Sequence, residues 1–337
     1  MNARTTPLRL TVVTAALIAA WVAPASAYLK LGLAINGQQT ALKWAQMPVR
    51  YFVQNQGVAG VAASDFQAAV ARSFASWQAL PTASIAYQSA GLTTAVAGNF
   101  DGQTTLGFVN RPDLDRVLAT TSFIVDTTTG AIVESDIIFN SSFAWSVAAG
   151  GETGKYDVES IALHEIGHLS GLSHSALGET ELRSDGTRRV ISSGSVMFPI
   201  AFAAGSTTSR TLRADDIAGM SDIYPDGGVA TSTGSISGRV TKNGAGVLGA
   251  HVVAFDLANG TMVGNFTLNA QGAFSIAGLS PGPHLVRVEP LDDAGTDSFF
   301  DGTVPIDVDF KVAFFERLVV VPSGGDSGAI EVKVVRK

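Results

Sequence analysis

The chain has 337 residues, a formal net charge of −7, five histidines and no cysteine. The acidic balance argues against nucleic acid or an anionic membrane as partner, because both attract clustered lysine and arginine. Without cysteine no disulfide framework can form, so stability must come from the core and from any bound metal.

The N-terminus has the pattern of a secretory signal peptide, which we place at residues 1–27. Arg4 and Arg9 precede an apolar run over residues 10–22, and Ala25-Ser26-Ala27 has the form of a cleavage site. The run is shorter than the roughly 20 residues that a membrane-spanning helix needs. We expect a secreted, extracellular mature chain from Tyr28, with the periplasm as the alternative location. Because Arg4 and Arg9 are removed with the signal peptide, the formal net charge changes from −7 for the full chain to −9 for the mature chain.

The next part, residues 28–226, predicts an α+β domain. A helix is expected over residues 63–80, opened by Ser64 and Gln67 as a capping box. Its apolar stripe is formed by Phe66, Val70, Phe74 and Trp77. Short β-type runs follow at residues 84–88, 93–98, 120–125 and 132–139. Asp157 and Glu159 suit the start of a second helix, and a third is expected over residues 214–223.

The second predicted helix carries the run His164-Glu165-Ile166-Gly167-His168, and Gly171 and His174 follow it. Histidines four apart share one helical face, so His164 and His168 can reach one metal ion. His174 can become the third ligand if the chain turns back after the helix, and Gly171 permits such a turn. Catalytic zinc uses three protein ligands and leaves one position for water. Glu165 is placed to accept a proton from that water, so the run predicts a zinc hydrolase site.

The histidine run has two other interpretations, a chance match and a structural zinc site. A bare H-E-x-x-H arises by chance on amphipathic helices, but the added Gly171 and His174 make coincidence much less probable. A structural zinc site is usually closed by a fourth protein ligand, and the chain has no cysteine to supply one. The remaining histidines, His251 and His284, are isolated in a later β-type region.

The run matches the metzincin signature H-E-x-x-H-x-x-G-x-x-H, and Met197 resembles the methionine of the turn beneath the metal in that family. Within the metzincins the chain resembles the matrixins, since Ser175 follows the third histidine and Pro199 stands two residues after Met197. Further matrixin-like stretches are Lys43-Trp44, Pro48-Val49-Arg50-Tyr51, Leu212, Asp215-Asp216-Ile217 and Ile223-Tyr224-Pro225. The resemblance implies an α+β zincin fold with Met197 supporting the metal site by packing.

The chain departs from the matrixin pattern at the second metal site of that family. Many matrixins carry a second, structural zinc, but Thr120 stands where one of its histidines would be, so we expect one catalytic zinc. Calcium is plausible in the family without being located here; Asp101, Asp115, Asp126 and Asp136 are loose candidates that match no defined calcium loop. The polar segment 177–194, with Arg183, Arg188 and Arg189, is expected to form a surface loop near the cleft.

A Gly/Ser/Thr-rich linker, residues 227–233, separates a C-terminal part, residues 234–337, with about seven short β-type runs. Their number and spacing predict an antiparallel sandwich. A pattern resembling carboxypeptidase regulatory-like, transthyretin-like domains is carried by Gly238-Arg239-Val240, Gly249-Ala250, Val252, Gly272, Phe274, Gly278-Leu279 and Gly282. With no catalytic constellation in it, this part is expected to be a folding or spacing module.

Taken together, the residues predict a secreted zinc metalloendopeptidase acting on polypeptides through a zinc-activated water, with Glu165 as general base. The resemblance to matrixins implies that the substrate lies extended along an edge strand, for which residues 117–123 are the candidate, and residues 199–202 are expected to wall the pocket that receives the residue after the cleaved bond. Two alternatives remain: a secreted binding or adhesion protein with a vestigial zinc site, or a zinc hydrolase of non-peptide substrates.

Overall fold

The computed structural model of the chain describes residues 10–14, 30–300 and 305–337. The predicted signal peptide lies outside the described residues except for Leu10–Thr14, which form a strand, so its assignment stays a prediction. Among the helices of the described part, none is long and apolar enough to cross a membrane.

The N-terminal part alternates strands with a few helices. Its helices are α1 (Ala63–Gln78), α2 (Val158–Leu169) and α3 (Ala214–Ile223), with a 3₁₀ turn at Thr208–Arg210. Its strands are β1 (Leu10–Thr14), β2 (Gly32–Ile35), β3 (Gln38–Ala41), β4 (Lys43–Trp44), β5 (Val49–Gln54), β6 (Tyr87–Thr93), β7 (Thr104–Val109), β8 (Ala119–Asp126), β9 (Ala131–Asn140), β10 (Trp145–Ser146), β11 (Tyr156–Asp157), β12 (Gly178–Leu182) and β13 (Arg188–Ser193).

The main sheet is mixed, with the strand order β1-β8-β9-β7-β5-β6 and with β4 paired to β9. Strands β5, β6, β7 and β9 run parallel, whereas β8 is antiparallel to β9. Strand β1 pairs with residues 122–126 of β8 and stops short of Thr121. The beginning of β8, which includes part of the predicted substrate edge, therefore extends beyond the pairing with β1.

Helices α1 and α2 pack together, and their apolar faces join the sheet in one core. Phe66, Val70, Phe74 and Trp77 are buried as the helical stripe predicts, and Trp77 Nε1 donates to the carbonyl of Leu163 at 2.9 Å. The predicted capping box is wrong: the helix starts after Ala62, with no side-chain cap. Asp157 does cap α2, because its Oδ2 accepts from the Ser160 amide at 2.9 Å.

Residues 177–194 form a hairpin of β12 and β13, not the surface loop that was predicted. Its turn is closed by Asp185, whose Oδ1 accepts from the Thr187 amide at 2.9 Å, and Gly186 takes a φ of 80°. The Asp185-Gly186 pair is a hairpin signal, but the polar composition of the segment favours the prediction of a loop.

The C-terminal part is rich in β-strands. A short helix, α4 (Val229–Ser232), lies in the segment predicted as a linker. The strands that follow are β14 (Gly234–Lys242), β15 (Ala245–Gly246), β16 (His251–Asp256), β17 (Met262–Phe266), β18 (Ala273–Leu279), β19 (Gly282–Glu289), β20 (Ala313–Phe314), β21 (Val319–Val321) and β22 (Ile330–Val334). Within the described residues, one sheet contains β15, β14, β18 and β22, and the other contains β17, β16, β19, β20 and β21. Both contribute side chains to a common core, and β22 departs from the antiparallel expectation by running parallel to β14.

The two parts of the chain pack against each other through an apolar cluster, which we call the shared cluster. It contains Ala176, Val190 and Phe198 from the first part and Phe266, Leu291, Ala294, Phe299 and Phe300 from the second. Close packing occurs also at Gly278, where an added Cβ would lie 2.6 Å from the Ala218 Cβ of α3. The C-terminal part is therefore in direct contact with the region around α3 and the residues after His174.

Candidate metal centre

Helix α2 and the turn after it place the three predicted histidines around one point. His164 and His168 lie on one face of α2, with ring centroids 4.7 Å apart. Gly171 has a φ of 103°, and its amide donates to the His168 carbonyl at 2.7 Å. A Cβ there would lie 2.3 Å from the Leu42 carbonyl oxygen, so glycine is required both for the turn and for the close approach.

The ligand atoms of His164, His168 and His174 all lie within 4.8 Å of one another. Each Nδ1 faces a backbone carbonyl: Val196 O at 2.7 Å, Leu172 O at 2.8 Å and Ser298 O at 2.7 Å, respectively. These contacts imply Nδ1–H tautomers, an inference from the hydrogen bonds, which leave each Nε2 lone pair for a metal ion.

The spacing of the nitrogens fits a tetrahedral zinc ion. His168 Nε2 and His174 Nε2 are 3.2 Å apart. Zinc–nitrogen bonds of about 2.0–2.1 Å at tetrahedral angles separate two ligand nitrogens by about 3.3 Å. The Nε2 atoms of His168 and His174 are therefore close enough to bind one cation.

Burial keeps the imidazoles neutral, which is the form that binds a metal. Burial, and then the neighbouring His164, lower the pKa of His174 to about 3. The pKa of His168 lies well below its ordinary value because of burial and then the two neighbouring histidines. For His164, burial lowers the pKa and the bond to the Val196 carbonyl raises it. Near pH 7 no proton competes with the metal for these nitrogens.

Glu165 is buried beside the first histidine, with 5% of its surface exposed. The Thr121 hydroxyl in β8 donates to Glu165 Oε2 at 2.6 Å. Burial raises the pKa of Glu165 to about 7, and the bond from Thr121 acts in the opposite direction. The role of Thr121 could not be predicted from the sequence, because Thr121 lies 44 residues from Glu165 in a strand with no local signal for such a contact.

Met197 lies under α2 at the level of the histidines, where a Cβ on Gly167 would come within 2.3 Å of its sulfur. The turn around it is held by Asp216, whose carboxylate accepts from Ser195 Oγ at 2.5 Å and from the Val196 amide at 2.9 Å. Asp216 was named from the sequence only within a matrixin-like stretch, Asp215-Asp216-Ile217. Its anchoring role is long-range and could not be read from helix position alone.

Asp215, the neighbour of Asp216, holds the segment after His174. Its Oδ2 accepts from Ser175 Oγ at 2.6 Å, and its Oδ1 accepts from the Gly264 amide of β17 at 2.8 Å. Burial, and then the nearby Asp216 carboxylate, raise the pKa of Asp215 to about 7. The C-terminal part therefore contacts the metal-site region through Gly264 and Ser298. The prediction of a folding or spacing module did not include such contacts.

Two other sets of residues were predicted to belong to the site: the pocket wall, residues 199–202, and the candidate calcium-binding aspartates. Ile200 and Phe202, in the predicted pocket wall, pack against the shared cluster. Asp126 accepts from the Thr128 amide at 2.8 Å, and Asp136 accepts from the amides of Gly98 and Thr105 at 2.6 and 2.7 Å. These carboxylates are engaged by the protein, and calcium binding at any of the four candidates stays untested.

Three converging imidazoles, a buried glutamate beside the first and a methionine turn below them are arranged as expected for a metal-dependent peptidase of the H-E-x-x-H class. The family model for matrixins matches residues 43–225, more than half of the chain. The chain therefore belongs to the matrixin family, which supports zinc metallopeptidase activity. A carboxypeptidase regulatory-like domain matches residues 235–298, so the second part is the β-rich domain that its pattern predicted.

Other comparisons add no functional information. Comparison with curated proteins gives no match. Among solved structures, the Bacillus anthracis TIE protein is 17% identical over 31% of this chain and 17% of its own, with a TM-score of 0.19. The dioxygenase domain of a carbohydrate-binding fusion protein from Streptomyces sp. SirexAA-E is 14% identical over 33% of this chain and 85% of its own, with a TM-score of 0.18. At these TM-scores neither structure supports a conclusion.

Proposed function

We propose that the chain is a secreted zinc-dependent endopeptidase in which Glu165 is the general base. The observation that carries this proposal is the pairing of three converging, neutral histidines with a buried carboxylate on the same helix. A vestigial site would have no need of the buried Glu165, because burying an ionisable carboxyl group costs free energy.

His164, His168 and His174 would hold the zinc through their Nε2 atoms. When bound, zinc polarises the scissile carbonyl and makes water acidic enough to react near neutral pH. The chain's own contribution is to fix the three rings: each Nδ1–H is engaged by a carbonyl at 2.7–2.8 Å. Such contacts orient the ring and set the tautomer.

Glu165 would take the proton from the attacking water and deliver it to the leaving amine. Thr121 holds Oε2, and we assign proton transfer to Oε1. Because the carboxylate is buried, its pKa of about 7 is close to neutral, where a group can serve as base and then as acid.

A polypeptide substrate would bind in extended form along β8. The strand begins at Ala119, two residues before Thr121, and runs antiparallel to β9 on one side. An extended peptide can add to the other side through main-chain hydrogen bonds. Removal of residues 1–27 as a signal peptide would also remove β1 and free residues 122–126 of this edge.

The test is cleavage of casein by the purified mature chain, before and after zinc removal with a chelator and after zinc is restored. Glu165→Gln should lower turnover about 10²–10⁴-fold, the usual contribution of such proton transfer, with zinc content unchanged. Glu181→Gln is the matched control, since that carboxylate is exposed and pairs with Arg189 on the hairpin. N-terminal sequencing of the exported protein should give Tyr28.

Each alternative has its own outcome. Near-normal turnover of Glu165→Gln with zinc in place would show that another group is the base. Hydrolysis of esters or other non-peptide substrates without cleavage of any polypeptide would favour the non-peptide hydrolase. Zinc binding with no hydrolysis across a substrate panel would favour the binding protein.

A further inference from the structure

One of the three carbonyls that engage the metal-binding histidines comes from the C-terminal domain. Val196 and Leu172, the acceptors for His164 and His168, belong to the catalytic domain. His174 donates instead to the carbonyl of Ser298 at 2.7 Å, across 124 residues of sequence. The third ligand is therefore oriented by the other domain.

The loop that presents this carbonyl, residues 291–300, is fixed at both ends. At its start, Asp293 Oδ1 accepts from the Thr180 amide at 2.7 Å, and the Asp293 carbonyl accepts from Thr180 Oγ1 at 2.8 Å. At its end, Phe299 and Phe300 are buried in the shared cluster, with centroids 5.5 and 5.3 Å from that of Phe266.

The loop is also ordered internally. Residues Thr296–Ser298 form a 3₁₀ turn, in which the Ser298 amide donates to the Gly295 carbonyl at 3.0 Å and the Phe299 amide donates to the Thr296 carbonyl at 3.1 Å. The amides of Ser298 and Phe299, on either side of the Ser298 carbonyl, are thus both hydrogen-bonded within the loop. The loop therefore sets the direction in which the Ser298 carbonyl points.

A second contact of the C-terminal domain lies one residue from the same ligand. Asp215, which is 1% exposed, binds the Ser175 hydroxyl and the Gly264 amide at the same time. Ser175 follows His174 directly, so the backbone beyond the ligand is tied to β17 while its ring is tied to the 291–300 loop. Two independent contacts therefore converge on His174.

We propose that the C-terminal β-domain is a structural component of the zinc centre, in which Ser298 is a positioning residue for His174. The proposal rests on the zinc-binding function inferred above. An acceptor for Nδ1–H fixes the ring and strengthens the ligand, and loss of such a partner typically weakens metal binding about 10–100-fold. The domain thereby contributes to zinc affinity through the orientation of the His174 ring.

The test compares full-length variants by competition with a zinc chelator. Phe299→Ala removes the ring that anchors the end of the loop, and Asp293→Ala removes the carboxylate that accepts from the Thr180 amide at its start. Phe274→Ala is the matched control: Phe274 is buried in the core between the two β-domain sheets, away from the shared cluster. Both loop variants should weaken zinc binding about tenfold or more, and the control should stay within about twofold of the parent.

A spectroscopic readout separates positioning of the ring from loss of stability. The chain has five histidines, so ¹⁵N-histidine labelling gives few imidazole signals. In the zinc-loaded parent, three Nδ1–H protons of the site should exchange slowly because each is bonded to a carbonyl. In the loop variants the His174 proton should exchange quickly while those of His164 and His168 stay protected.

The outcomes distinguish this proposal from the function on which it rests. A parent chain that holds no zinc would overturn the proposed function itself. A parent that holds zinc, with folded loop variants that bind it equally well and keep all three protected protons, would overturn the positioning role alone. If Phe299→Ala does not fold, Asp293→Ala decides the matter, because it removes no side chain of the shared cluster.

Discussion

The contact between Thr121 and Glu165 yields a prediction that can be worked through in energy. Thr121→Val keeps the shape of a buried side chain and removes the hydroxyl that donates to Glu165 Oε2 at 2.6 Å. That bond stabilises the ionised carboxylate and lowers its pKa. Its loss should raise the pKa, so a base that must be ionised becomes active only at higher pH.

The size of the shift follows from the strength of the bond. A hydrogen bond to a charged group contributes about 1.5–3 kcal/mol, and one pKa unit corresponds to about 1.36 kcal/mol. The acid limb of the pH profile of kcat/KM should therefore move upward by about one to two units. At a fixed pH on that limb the rate should fall at least about tenfold, and the loss should shrink as the pH rises.

The assay is kcat/KM for a fluorogenic peptide across a series of buffers, at saturating zinc. Thr120→Val is the control, since it makes the same chemical change at the next position of β8, where the side chain points to the other face and is only half-buried. Its acid limb should coincide with that of the parent. An unshifted limb in a folded, zinc-loaded Thr121→Val protein would show that Thr121 does not tune the base.

Two further predictions concern the metal and the packing beneath it. The mature protein should hold one zinc per chain, because the other two histidines have partners in the β-domain: His251 Nδ1 lies 2.9 Å from Glu289 Oε1, and His284 Nδ1 lies 3.1 Å from the Gly282 carbonyl. Elemental analysis that finds two tightly held zincs after dialysis would contradict this. Gly167→Ala should lower the free energy of unfolding by about 1–3 kcal/mol, since its Cβ would lie 2.3 Å from the Met197 sulfur. Denaturation should show no such loss for Gly150→Ala, where an added Cβ has nothing within 4 Å.

The local parts of the site could be predicted from the sequence because their chemistry is encoded in spacing. His164 and His168 share a face by helical periodicity, and Gly171 marks a turn with a φ of 103° that places His174. Helix α3 has the predicted bounds, residues 214–223, because its apolar pattern and the proline that follows both act locally.

The contacts that support the site could not be predicted, because they join residues far apart in the chain. Thr121 and Ser298 reach Glu165 and His174 across 44 and 124 residues, respectively, and Ser298 acts through a backbone carbonyl that every residue type possesses. The predicted capping box at Ser64 failed for the opposite reason: a strong local motif was present, but the helix starts without using it. Side-chain identity indicates chemistry, whereas these supporting contacts depend on packing.

The position of Ser298 in the chain also determines when, during synthesis, its contact with His174 can form. Ser298 emerges from the ribosome 124 residues after His174, and the segment that holds it in place ends only at Phe300. The His174 ring therefore acquires its hydrogen-bond acceptor only when the β-domain has folded against the N-terminal part. During synthesis this contact of the histidine cluster cannot form until nearly the whole polypeptide has been made.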